Sequence, residues 1–195
     1  MRLKLLKIVP AFLVLSCMLS LVSCNGKTSN DKDVISQNEK TATKKAEKNE
    51  FKSEDGSESL FAPKSWISDT ALNNEASIQI SNRMKEKYVI VITEEKELFS
   101  EGLTLAEYTE LVNEMMQGSI NNVSATDIQD TTVNGKNAQH FELAGDVQNI
   151  KVTYFITVVE SDNKFHQIIG WTLTPKVQDN KAEILEVMNS FTVNQ

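Results

Sequence analysis

The sequence predicts an α+β domain in which an antiparallel β-sheet meander is covered by helices on both faces, an α/β/α sandwich. Three observations predict it. Asn134-Gly135 and Asp162-Asn163 each sit between apolar runs of strand character and mark tight hairpins. Thr104-Leu105-Ala106-Glu107 has the form of a capping box at the head of an amphipathic helix. Strand-like runs lie on both sides of that helix, and a second amphipathic segment closes the chain.

In chain order, Ser59-Leu60-Phe61-Ala62 reads as a short strand ended by Pro63, with Trp66 placed to plug one end of a core. Ile78 and Ile80 alternate with polar neighbours, as on an edge strand, whereas Tyr88 to Ile92 is continuously apolar, as in a central one. At 100° per residue Leu105, Tyr108, Leu111, Val112, Met115 and Met116 fall on one arc of the first helix, which ends near Gly118. Pairing about Asp162-Asn163 sets Val152 opposite Leu173, Tyr154 opposite Trp171 and Ile156 opposite Ile169, on a core face. The reverse face carries Thr153, Phe155, Thr157 and Val159 with His166, Ile168 and Gly170, a mixture that suits partial cover by another layer. Asn180-Lys181-Ala182-Glu183 is expected to cap the last helix, whose apolar side is Ile184, Leu185, Met188 and Phe191.

Three segments precede or make up this architecture. Arg2, Lys4 and Lys7 stand before an apolar run from Ile8 to Val22, the pattern of an export signal over residues 1–23. Leu21-Val22-Ser23-Cys24 resembles the bacterial lipobox, which assigns Cys24 as the lipidated first residue of the mature chain. Two or more acyl chains, at about 0.8 kcal/mol per buried methylene, hold a protein stably on a membrane without spanning it. Residues 24–56 then form a charged linker with seven Lys and seven acids. Its poverty in large apolar residues predicts a flexible tether with a reach on the order of 30 Å. Residues 57–195 make the globular domain, which contains no Cys, so disulfides and zinc-thiolate sites are excluded there.

Pro63-Lys64-Ser65-Trp66, Val133-Asn134-Gly135-Lys136 ahead of the meander, and Ser190-Phe191 after the last helix resemble the PsbP-like group, which also takes in Mog-type proteins and bacterial DcrB-like lipoproteins. The resemblance implies an α/β/α sandwich whose members mostly bind or stabilise other proteins. It supplies no metal or partner residue that maps onto this chain.

The chain has 20 basic and 27 acidic side chains, a formal charge of −7, and the globular segment alone is more acidic still. That balance argues against nucleic-acid binding. The sequence has no Gly-rich phosphate loop, no G-x-S-x-G elbow and no H-E-x-x-H helix, so no catalytic residue, metal or cofactor is assigned. The pairing places His140 and His166 on the order of 20 Å apart, too far to share an ion. His140 with Asp127 and Glu142 could hold a divalent cation weakly, but a solvated sheet face explains them as well.

Seven glutamates (94, 95, 97, 101, 107, 110 and 114) concentrate acid around the first helix. Glu107, Glu110 and Glu114 lie opposite its apolar stripe and form a candidate face for a basic partner. The sequence thus leads to a non-enzymatic accessory or adaptor, lipid-anchored on the outer side of the cell membrane, that binds an envelope or cell-surface protein. The alternative is a carrier of a small apolar ligand or lipid between helix and sheet, lined by Met115, Met116, Tyr154 and Trp171. Metabolic labelling with palmitate is expected to tag the wild-type chain and to leave Cys24→Ala unlabelled and unprocessed; a labelled Cys24→Ala chain contradicts the lipobox assignment.

Overall fold

The computed structural model describes residues 47–194 of the 195. Cys24, the signal 1–23 and most of the tether lie outside the described residues. Lys48–Lys52, assigned above to the tether, instead form a strand, β1, antiparallel to β2 (Glu58–Pro63). Composition fails here because every backbone carries pairing groups whatever its side chains. Phe51 supplies the one large apolar anchor of β1, half-buried against the core.

The described residues form eleven strands, β1 and β2 included, and two α-helices. β3 (Ile67–Ser68), β4 (Ile78–Asn82) and β5 (Lys87–Glu95) precede α1 (Leu105–Gly118); β6 (Asn121–Ala125), β7 (Gln129–Val133), β8 (Lys136–Val147), β9 (Ile150–Glu160) and β10 (Lys164–Leu173) precede α2 (Val177–Met188) and β11 (Thr192–Val193). The main sheet runs β3-β4-β5-β10-β9-β8-β6, with β7 also on β8, and every pairing is antiparallel. A smaller sheet, β1-β2-β11, stands apart from it. The fold is the α+β sandwich that the sequence predicts.

Each face of the main sheet buries a separate core. On one face α1 packs its Tyr108, Val112 and Met116 on Phe141, Tyr154, Ile156, Phe165, Ile169 and Trp171. On the other face α2 and the small sheet cover Phe155, Val159, Ile168, Val89 and Val91 with Ile184, Met188, Phe191 and Leu60. Period-two alternation along β9 and β10 sends successive residues to the two cores. Gly170 lets α2 approach: a Cβ there would stand 2.5 Å from Ile184 Cγ2 and 2.7 Å from Met188 Sδ.

The β9/β10 register matches the expected one, with Tyr154 opposite Trp171 and Ile156 opposite Ile169. The β8/β9 turn differs. It closes on Gln148-Asn149, both in the left-handed region (φ 51 and 67), which is the two-residue hairpin geometry achieved without glycine. His140 consequently pairs with Thr157 rather than near 154. The two histidines are then two strands and two residues apart, about 12 Å by strand geometry, closer than expected yet still separate. β4 is interior, because β3 covers its outer side. α2 begins at Val177, behind a 3-10 turn carrying Pro175, so Asn180 lies within the helix instead of capping it. Its amide donates to Lys85 O and Thr172 Oγ1, both at 2.8 Å.

Register also fixes the two ends of the domain. Lys48 is level with Pro63, Ile67 with Ser81, and Asn82 with Lys87, so β1 starts at the end that holds Trp66 and the Arg83–Lys85 turn. β5 runs nine residues, about 30 Å, to the far end, where Glu95 pairs with Lys164 and α1 begins.

Candidate functional site

The far end is built from the stretch between β5 and α1 and from the β9/β10 hairpin. Thr104 Oγ1 accepts from Glu107 N at 3.2 Å, while the Glu107 carboxylate accepts from Thr104 N at 2.9 Å. This reciprocal cap fixes where α1 starts. It also holds the Glu107 carboxyl below its usual value, through the Thr104 backbone and hydroxyl donors. Tyr108, one residue on, stacks on Phe165 at 4.2 Å between centroids and gives its phenol proton to Glu94 Oε2 at 2.5 Å. Gln167 Nε2 donates to both Glu94 and Tyr108. Burial, followed by the adjacent Glu94 charge, raises the Tyr108 phenol well above its ordinary range, so it stays a donor.

Glu107, Glu110 and Glu114 are all exposed on the outer side of α1, as the helical arc requires. Glu110 meets only Asn113 Nδ2, at 3.5 Å, and Glu114 forms no ion pair among the described residues. The rest of the acidic stretch does not join that face. Glu94 points into the Tyr108–Gln167 cluster and Glu95 bridges to Lys164 at 3.0 Å, because neighbouring strand residues face opposite ways. Beside the cap an open cleft of about 630 Å³ is lined by Lys96, Glu97, Phe99, Leu103, Leu105 and Glu160 among others.

The pocket residues considered for a carrier are mostly core. Met116 of α1 is packed in one core with Tyr154 and Trp171 of the sheet, and Met115 is half-buried. Burial pushes the Tyr154 phenol up to about 12. The Trp171 indole N–H meets no acceptor among the described residues, its ring stacked on Tyr88 at 5.2 Å.

His140 and Glu142 are likewise occupied. Burial foremost lowers the His140 pKa, with Lys181 acting in the same direction and Glu142 opposing, so the ring is held neutral. Lys181 takes the Glu142 carboxylate at 2.7 Å. Among the described residues no group of three metal-ligating side chains occurs.

Sequence reasoning missed a buried polar cluster on the opposite face. Glu58 of β2 and His166 of β10, 2 % and 0 % exposed, meet at 2.9 Å through Oε1 and Nδ1. Thr93 Oγ1 donates to the same oxygen at 2.6 Å and Ser77 Oγ to Oε2 at 2.5 Å. Burial is the largest single influence on Glu58 and raises its pKa, but the donors from His166, Ser77 and Thr93 together hold it below the usual value. An ionised Glu58 requires Nδ1 to carry a proton, which leaves Nε2 to face Ser161 Oγ at 2.8 Å. Ser161, His166 and Glu58 thus stand in the order of a hydrolytic triad. The imidazole is fully buried, and the Ser161 N–H is bound to Lys164 O at 2.9 Å. The only sequence signal for this cluster is a histidine on a strand, since Glu58 lies 108 residues away.

The layers, the meander and the two terminal elements give the chain a fold similar to that of PsbP. Among solved structures, the chain is similar to cyanobacterial PsbP (CyanoP) of Synechocystis sp. PCC 6803, with a TM-score of 0.56 and 14% identity over 80% of this chain and 98% of that one. It is also similar to LpqN of Mycobacterium tuberculosis, described as involved in cell envelope biogenesis, with a TM-score of 0.57 and 10% identity over 76% of this chain and 91% of LpqN. At these identities the likeness is one of fold. Comparison of the sequence with family models and with curated proteins finds no match.

Glu58 gives a pH dependence of known sign. With a folded pKa below the unfolded 4.5, its contribution is complete above pH 4.5 and is lost as pH falls through the folded value. Glu58→Gln, neutral in both states, is expected to lose about 1–3 kcal/mol near neutrality. Urea unfolding at a series of pH values checks this: the gap between variant and wild type should narrow below pH 4.5, and a constant gap contradicts the assignment.

Proposed function

We propose that this chain is a non-enzymatic accessory protein, lipid-anchored through Cys24 on the outer side of the cell membrane, that binds another envelope or cell-surface component. The observation that carries the reading is the placement of the free acidic face. Glu110 and Glu114 lie on the solvent side of α1 without an ion pair among the described residues, while β1 starts at the end of the main sheet away from the head of that helix. A tether that joins the domain there leaves the helix head free to meet a partner.

Two further facts support it. The fold is shared with LpqN, a protein involved in cell envelope biogenesis, and with CyanoP. Of the side chains nearest to a catalytic arrangement, Glu58 and His166 are bonded to each other across β2 and the main sheet, and Ser161 bonds within the β9/β10 hairpin, to His166 and to Lys164 O. An interface of this kind draws its on-rate and selectivity from charge complementarity, with a surface excess of acid meeting a basic partner.

Chemical cross-linking of intact cells followed by capture of the full chain from membranes is expected to yield one recurring protein. Glu110→Lys with Glu114→Lys should reduce its recovery about tenfold, equivalent to about 1.4 kcal/mol, and Ser161→Ala should leave it unchanged. Glu107→Lys is a poorer probe because it also removes the α1 cap. Recovery that ignores the charge reversal, or that requires the Ser161 hydroxyl, contradicts the reading.

A further inference from the structure

We propose that the cleft between β5 and α1 is the docking site for a basic protein segment that inserts one apolar side chain between flanking lysines or arginines. The inference rests on the adaptor reading above and names the chemistry of its partner. The cleft, of about 630 Å³, has the size of a pocket that takes a few side chains. Its apolar surfaces come from Phe99, Leu103 and Leu105. Phe99 is braced edge-on against Tyr108 at 5.3 Å and against Phe165 at 6.3 Å, so the floor is fixed before any partner arrives. Leu98, next in the chain to two of the lining residues, is 63% exposed, an apolar side chain left in solvent beside them in sequence.

Charge selects the occupant. The one cation in the lining, Lys96, is bound to Glu160 at 2.7 Å and lies 5.0 Å from the centre of the Phe165 ring, so it is already neutralised. Glu97 and Glu101, also in the lining, are exposed and make no ion pair among the described residues. The uncompensated charge at the mouth is therefore negative. An anionic lipid headgroup would be repelled, and a second copy of this acidic domain would bring like charges together. A cationic segment with an apolar anchor satisfies both the floor and the mouth.

The test uses the full lipidated chain in nanodiscs of neutral phosphatidylcholine. The probes are a short fluorescent peptide in which lysines flank a central phenylalanine and its counterpart with glutamates in place of the lysines. Fluorescence anisotropy should show the lysine peptide binding at least about tenfold more tightly than the glutamate peptide. Glu97→Lys with Glu101→Lys should abolish that preference, and Leu98→Asp, at an exposed position that leaves the fold intact, should weaken binding. Asp130→Lys on β7, across the sheet, should have little effect. Equal binding of the two peptides overturns the proposal, as does equal loss from Asp130→Lys and the cleft variants. A dimer in sedimentation that Leu98→Asp dissociates also overturns it, because the occupant is then a second copy. If the cross-linked partner is still captured by the Glu97→Lys, Glu101→Lys protein, the cleft is wrong while the adaptor reading stands.

Discussion

The position of the small sheet depends on one buried carboxylate. Glu58 cannot be left ionised in an apolar interior without compensation, and the structure compensates it from three directions: His166 from β10, Thr93 from β5 and Ser77 from the segment before β4. Each donor belongs to the main sheet or its immediate approach, and the acceptor belongs to β2. The bonds are directional, so they fix where β2 sits as well as whether it binds. β1 and β11 follow, because both pair with β2 and neither touches the main sheet by a ladder. Phe191 closes the arrangement, with its ring 5.2 Å from the His166 imidazole.

Packing then divides the labour between the two faces. On the side of the small sheet, α2 lies close over Gly170, and Trp66 ties the β2–β3 connection to α2 through Glu183 at 2.7 Å. This face joins the first and last of the described strands, β1 and β11, through β2 to the core over the meander. On the other face α1 is pinned at its head by the Tyr108–Phe165 stack and the Glu94–Gln167 hydrogen bonds, while its outer side stays polar. The result is a helix with a rigid start, a cleft beside that start and an acidic exposed surface. The proposed docking surface lies on that face, and the other one is committed to structure.

Much of this was legible in the residues. Turn chemistry at Asp162-Asn163 set the β9/β10 register pair by pair, and Thr104 with Glu107 located the head of α1. Glu107, Glu110 and Glu114 were placed in solvent by helical periodicity alone. Features that depend on contacts distant in sequence were not legible. Glu58 reads as an ordinary charged residue at the start of a strand until His166, 108 residues later, is folded against it. β1 was hidden because its pairing is made by backbone groups beneath a charged composition. The Gln148-Asn149 turn lacks the glycine that usually announces such hairpins, and Asn180 has the residue type of a cap while its acceptors, Lys85 O and Thr172 Oγ1, come from elsewhere in the chain. The cleft escaped for a similar reason: its walls are contributed by a short irregular connection and by Glu160 of another strand.

The claim that a single polar cluster seats the small sheet is tested most directly by amide hydrogen exchange on a His166→Gln variant. The account predicts that protection falls first in β1, β2 and β11 while β8, β9 and β10 keep theirs, because the ladders of the main sheet do not use the Glu58 carboxylate. Loss of protection spread evenly over both sheets, or no loss in the small sheet, would contradict it.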